Sequence, residues 1–196
     1  MNHNNELRKC FGTIKEMLRD RGVDAASLDH VSAEDVIALS GSRAVFHLDL
    51  TSCAYRVVFD MNPKFKLADV RKLLEDTPFN NAVFLVVTKD HAGPTHAALK
   101  GVDELKKDVQ FFDMRELQYN VSHHTLVPRH EPVRDEAEID EIVKRYRLKT
   151  RFQLPLILGT DPMARYLALK PGQVARITRN SPSAGTYVLY RCCMRA

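Results

Sequence analysis

No run of about 18 apolar residues occurs in the 196-residue chain, so no segment is built to cross a bilayer as a helix. The opening Met1-Asn2-His3-Asn4-Asn5-Glu6 lacks a basic stretch followed by an apolar one, which argues against a secretory signal. Cysteine is scarce and irregularly placed, at Cys10, Cys53, Cys192 and Cys193. A secreted disulfide scaffold would be denser in cysteine. The adjacent Cys192 and Cys193 have poor geometry for bridging each other. Reduced thiols in a cytosolic or nuclear protein are the expectation. There is no CxxC spacing of the kind zinc sites use. A P-loop, a GxSxG elbow and a dinucleotide fingerprint are also missing. An enzymatic role of its own is therefore not expected.

What is present is a chain 44% hydrophobic and 28% charged. It can support one large core or two small ones. No segment is depleted in apolar residues, which excludes wholesale disorder. The net charge of +4 is unevenly spread. Residues 1–120 carry 16 Lys and Arg against 18 Asp and Glu, whereas residues 121–196 carry 13 against 7. From Ile142 onward Asp161 faces eleven basic residues. Such an end suits a polyanion or an acidic protein surface, a solvated face being the plain alternative.

Periodicity predicts a helix over Asn5–Arg21, with Leu7, Cys10, Phe11, Ile14 and Leu18 on one face and Gly22 as its stop. A second helix is expected from Ser32, capped with the help of Asp35. Residues 44–48 and 55–59 read as strands, Lys66–Glu75 as a helix, and Ala82–Val87 as a buried central strand. Thr95–Lys107 reads as a further helix and Val109–Phe112 as a strand. This alternation implies an α/β domain over roughly residues 1–115. A boundary is expected near residues 113–121, where the charge balance changes sign. Beyond it, Asp135–Arg147 is a helix with acids first and bases last, the order the helix dipole favours. Leu154–Leu158 is a short apolar segment, and Asp161-Pro162 opens another helix. Lys170-Pro171-Gly172-Gln173 is a type II turn signal, followed by strands at Val174–Arg179 and Thr186–Arg191.

Three constellations invite chemistry. His123, His124 and His130 form the sole histidine cluster, but their spacing is no familiar zinc pattern and a structural hydrogen-bonding role is the favoured reading. Glu104-Leu105-Lys106 has the E-x-K spacing of metal-dependent nucleases, yet it sits in a charged, helical stretch rather than on a strand. Gly93-Pro94-Thr95-His96 lies after a predicted strand and before a predicted helix, where free N–H groups can face an anion such as a DNA phosphate.

Several segments carry a family resemblance. They are Ser122-His123-His124-Thr125-Leu126-Val127-Pro128-Arg129-His130, Arg145-Tyr146-Arg147-Leu148-Lys149, Gln153-Leu154-Pro155, Asp161-Pro162-Met163-Ala164-Arg165-Tyr166-Leu167, Lys170-Pro171-Gly172-Gln173-Val174, Ser183-Ala184-Gly185-Thr186-Tyr187 and Tyr190-Arg191. In order and spacing they resemble the shared subunit, fifth by size, of nuclear RNA polymerases I, II and III. The C-terminal part is similar to a small subunit of archaeal RNA polymerase. A second anchor is Thr13-Ile14-Lys15-Glu16-Met17-Leu18-Arg19-Asp20-Arg21-Gly22, while residues 23–80 match loosely. The Gly93-Pro94-Thr95-His96 element stands where the family has Thr-Pro-Ser-Ala.

The resemblance implies an α/β protein of two domains. Residues 1–118 would form a nuclease-like α/β jaw domain without an active site, and residues 119–196 a small α+β assembly domain with a mixed sheet. It implies a non-catalytic subunit that needs no cofactor and no metal. Its partners would be the largest polymerase subunit, other polymerase subunits and downstream duplex DNA in the assembled enzyme, with no membrane. DNA-proximal residues would be Pro94, Thr95, His96 and Lys100. Subunit-interface residues would be His123, His124, Arg147, Arg165, Tyr166, Arg179, Tyr187 and Arg191, with Arg145, Lys149, Arg151 and Arg176 in the same basic set. The expected place of action is the nucleus, or the virion or viral factory if a large DNA virus encodes the chain. The competing readings are a free DNA-binding transcription adaptor on the same fold and a nuclease.

Overall fold

Leu7, Cys10, Phe11, Ile14 and Leu18 line the buried face of helix α1 (His3–Asp20), as their three-and-four spacing requires. The computed structural model describes residues 3–23, 31–40, 45–50, 55–61, 83–89, 108–181 and 185–195. The chain divides into two units, Met1–Tyr119 and Asn120–Ala196.

In the first unit, α1 stops at Gly22, whose φ is 90°. Gly22 N–H donates to Arg19 O at 2.8 Å and Val23 N–H to Leu18 O at 3.0 Å, a Schellman closure that uses the left-handed freedom of glycine. Helix α2 (Ala33–Ser40) begins with a reciprocal cap. Asp35 N–H donates to Ser32 Oγ at 3.2 Å, and Ser32 N–H donates to Asp35 Oδ2 at 2.8 Å. Arg8 Nε and Nη2 clamp the Glu34 carboxylate at 3.0 and 3.1 Å, joining α1 to α2.

The first sheet contains β1 (Val45–Leu50), β2 (Tyr55–Asp60), β3 (Val83–Thr88) and β4 (Asp108–Asp113) in that order. β1 pairs antiparallel with β2, while β2, β3 and β4 run parallel. Val57, Val58 and Phe59 of β2 and Phe84, Leu85, Val86 and Val87 of β3 are all buried. Such continuous apolar runs belong to strands covered on both faces. Arg56 breaks the run and is 2% exposed. Its Nε and Nη2 reach the Asp49 carboxylate on β1 at 2.5 and 2.8 Å, so the buried charge is paired. After β4 a single 3-10 turn spans Glu116–Gln118. Gln118 Nε2 donates to Glu6 O at 3.2 Å and to Met114 O at 3.0 Å, tying this turn to the start of α1.

The second unit contains β5 (Arg129–Val133), α3 (Glu136–Arg145), β6 (Leu156–Leu158), α4 (Pro162–Tyr166), β7 (Val174–Ser181) and β8 (Gly185–Met194). The sheet order is β5-β7-β8-β6. β7 pairs antiparallel with β5 and β8, and β6 pairs parallel with β8. Both sheets are thus mixed, and the α/β class expected from the sequence holds. Asp135 Oδ1 caps α3 through Ala137 N–H at 3.0 Å. Asp161 Oδ1 caps α4 through Met163 N–H at 2.8 Å, with Pro162 at the first helical position. One sheet face packs Val133, Val174, Tyr190 and Cys192 against Ile139 and Ile142 of α3. Alternation places Ala175, Ile177 and Cys193 on the other face. There Cys193 Sγ donates to Leu169 O at 3.6 Å, so the segment after α4 lies over that side. Burial pushes the Cys192 and Cys193 thiols up and keeps them protonated.

The turn at Lys170–Gln173 forms as expected, with Gly172 at φ 86° and Gln173 N–H donating to Lys170 O at 3.0 Å. α3 and α4 end in the same Schellman geometry as α1, but with Arg147 (φ 53°) and Ala168 (φ 55°) in the left-handed position. Each costs about 1–2 kcal/mol relative to a right-handed residue.

Three differences from the sequence reading have physical causes. β5 has no counterpart among the elements expected from the sequence, because Pro128 and Pro132 mask it. β5 is an edge strand, where proline is tolerated. Only Leu156–Leu158 of the Leu154–Leu158 segment is a strand, and Leu154 is a buried core residue after a 3-10 turn. β8 runs on to Met194, since pairing with β6 extends it. The helices expected at Lys66–Glu75 and Thr95–Lys107 lie outside the described residues.

Candidate assembly surface

Pro94, Thr95, His96 and Lys100, together with Glu104 and Lys106, also lie outside the described residues. All eight candidate interface residues fall in the second unit, in separate groups.

The first group is organised by Asn120, which is buried. Its Nδ2 donates to Tyr166 Oη at 2.9 Å, and its Oδ1 accepts from Ser122 N–H at 2.9 Å and Ser122 Oγ–H at 2.7 Å. A 3-10 turn at Val121–His123 follows, with His123 N–H donating to Asn120 O at 3.2 Å. His124 Nδ1 accepts Leu126 N–H at 3.2 Å, so the proton of the neutral ring sits on Nε2. His130 Nδ1 is 2.7 Å from Pro128 O and donates to it, so it has the opposite tautomer. His123 and His124 are exposed, Arg165 is half-buried and Tyr166 is buried. Tyr166 therefore supports this turn from within. Among the described residues, no group of three or more His, Cys, Asp or Glu side chains is arranged to hold a metal ion.

The second group lies along β7 and β8. Arg179 and Tyr187 are register partners near the outer end of the hairpin, and both are exposed. Further along β8, Arg191 is exposed, and its Nη1 donates to Leu156 O at 3.1 Å. Arg147, also exposed, occupies the C-terminal cap of α3.

Arg151 and Arg176 belong to the basic set that the resemblance assigned to an assembly surface, and both are engaged within the unit. Arg151 holds Glu136 through both guanidinium nitrogens, and Arg176 reaches Glu138. The hydrogen bond from Arg151 holds the Glu136 carboxyl below its usual range, and a hydrogen bond with Tyr190 pushes the Arg176 guanidinium up. Both arginines fasten α3 to the body of the unit. Sequence reasoning also missed Asn120 as the organiser of the turn, and Leu156 and Leu158 as exposed side chains. Asn120 carried no pattern signal, because its partner Tyr166 is 46 residues away.

Residues 119–193 match the family described as RNA polymerase Rpb5, C-terminal domain. The chain is 30% identical to a DNA-directed RNA polymerases I, II and III subunit of Dictyostelium discoideum, over 97% of this chain and 98% of the relative. The chain belongs to the Rpb5 family of RNA polymerase subunits. It is 31% identical to an Arabidopsis thaliana DNA-directed RNA polymerases IV and V subunit 5B, over 92% of this chain and 86% of the relative. It is 33% identical to a Caenorhabditis briggsae DNA-directed RNA polymerases I, II and III subunit, over 95% of this chain and 83% of the relative. Rpb5-family similarity thus spans both units, and the family model covers the one that carries the eight candidate interface residues.

Proposed function

We propose that this chain is a non-catalytic structural subunit of a DNA-directed RNA polymerase. Residues 119–196 act as an assembly domain that docks on the largest subunit, and residues 1–118 form part of the jaw beside downstream duplex DNA. The observation that carries this reading is similarity to shared polymerase subunits over nearly the whole chain. The C-terminal unit supports it with cationic and aromatic groups at its surface, including Arg147, Arg179 and Tyr187. Arginine suits such a role because its planar fork can hold a partner carboxylate with two hydrogen bonds. DNA contact falls to Pro94, Thr95, His96 and Lys100, as weak, sequence-independent backbone contact. The place of action is the nucleus.

The test is affinity purification of the tagged full-length chain from its own cells. Stoichiometric recovery of the two largest polymerase subunits is expected. Recovery of neither, with salt-sensitive binding of the isolated chain to duplex DNA, would establish a free DNA-binding adaptor instead. Charge reversal at Arg147 or Arg179 should weaken incorporation more than it changes DNA affinity of the free chain. Crosslinks from downstream DNA should reach residues 93–100.

A further inference from the structure

β6 is an edge of the second sheet, and its inner side is fully used. Cys192 N–H donates to Pro155 O at 2.9 Å, and Gly159 N–H donates to Met194 O at 2.8 Å. Between them Ile157 faces β8, because a parallel ladder engages alternate residues. The backbone groups of Leu156 and Leu158 therefore point away from the sheet. On that outer side Leu156 O is held by Arg191 Nη1, and Leu158 O accepts Asp161 N–H at 2.9 Å. Among the described residues, the N–H groups of Leu156 and Leu158 meet no acceptor and remain as outward donors.

The side chains point to the same edge. Leu156 lies beside Cys192 and Leu158 beside Met194, so both leucines share the sheet face that packs on α3. α3 covers that face over β5, β7 and β8 but leaves Leu156 47% and Leu158 54% exposed. Ile157, on the other face, is buried. An apolar ledge beside outward amide donors is a template for an added strand unless something covers it. The surroundings select the occupant. Arg191 puts a guanidinium at the rim, and Asp161 alone balances eleven basic residues from Ile142 onward.

We infer that the β6 edge receives an extended segment of a neighbouring polymerase subunit as a fifth strand of this sheet. The segment carries apolar side chains that cover Leu156 and Leu158, and carboxylates that meet Arg191. This deepens the assembly reading and rests on it.

The test compares tagged full-length wild type with two variants, L156S/L158S and Leu158→Pro. Both sites are exposed. The proline removes an N–H that the chain itself does not use, and it favours the extended backbone that Ile157 already has. Each variant should recover at least tenfold less of the neighbouring subunit, with an unchanged thermal midpoint and unchanged hydrogen exchange in β7 and β8. If wild type recovers no polymerase subunit, the assembly reading fails. If wild type recovers the neighbour and both variants do so within twofold, the inference alone is overturned. Loss with L156S/L158S but full recovery with Leu158→Pro would overturn strand addition, leaving side-chain contact only.

Discussion

Among the described residues, the two units use their apolar residues differently. In the first, β2 and β3 are sealed runs, and even Arg56 is buried against its partner Asp49. In the second, Leu126, Tyr146, Phe152, Leu156, Leu158, Tyr187 and Val188 all remain at the surface. Among the described large apolar residues, Leu39 and Tyr119 are the exposed ones of the first unit. A sealed core supports its own fold, whereas an open apolar surface is completed by something else. The contrast fits a second unit built for assembly.

The largest effect expected is in the sealed core. Phe84→Ala should cost about 3–5 kcal/mol, through lost transfer energy and the cavity left behind. Hydrogen exchange should accelerate in β2, β3 and β4 and stay unchanged in β7 and β8. Equal acceleration in both sheets would erase the contrast between the units. Next comes the interior of the second unit. Tyr166→Phe removes the hydrogen bond that Tyr166 Oη accepts from Asn120 Nδ2 and should cost about 1–2 kcal/mol. Thermal melts should show that loss while co-purification stays at the wild-type level, separating a supporting residue from a contacting one.

Arg147 sharpens the contrast within a single residue. Arg147→Gly relieves a left-handed non-glycine cap and should raise stability by about 1 kcal/mol. The same change should lower incorporation into the polymerase, so melting and co-purification are expected to move in opposite directions. A variant that is both more stable and fully incorporated would remove Arg147 from the interface. The smallest effect concerns Glu136, an exposed partner of Arg151. Its carboxyl lies below the ordinary 4.5 in the folded chain. The stabilisation is therefore present above that value and is lost as pH falls through the folded value. Glu136→Gln should flatten this acid limb of the thermal midpoint and leave the neutral-pH fold intact.

Elements whose signals are local were legible from the sequence. α1 declared itself by spacing and by Gly22, α3 by acids at its start and bases at its end, and α4 by Asp161-Pro162. β3 declared itself as an unbroken apolar run. β5 did not, because two prolines obscure a strand that only its edge position permits. The site was less legible than the fold. Charge density marked the basic end but not which cations are already engaged. Arg176 meets Glu138 across 38 residues, and Arg151 meets Glu136 across 15. The Leu156–Leu158 ledge read only as part of a short apolar segment, because hydrophobicity alone does not say which face of an edge strand a helix covers.

The Gln118 latch also sets an order of events during synthesis. Its amide closes onto Glu6 O across 112 residues. A ribosome must therefore release almost the whole first unit before the opening helix can be fastened in place. Until then the start of α1 lacks this anchor, at the stage when a nascent chain most needs shielding from its neighbours.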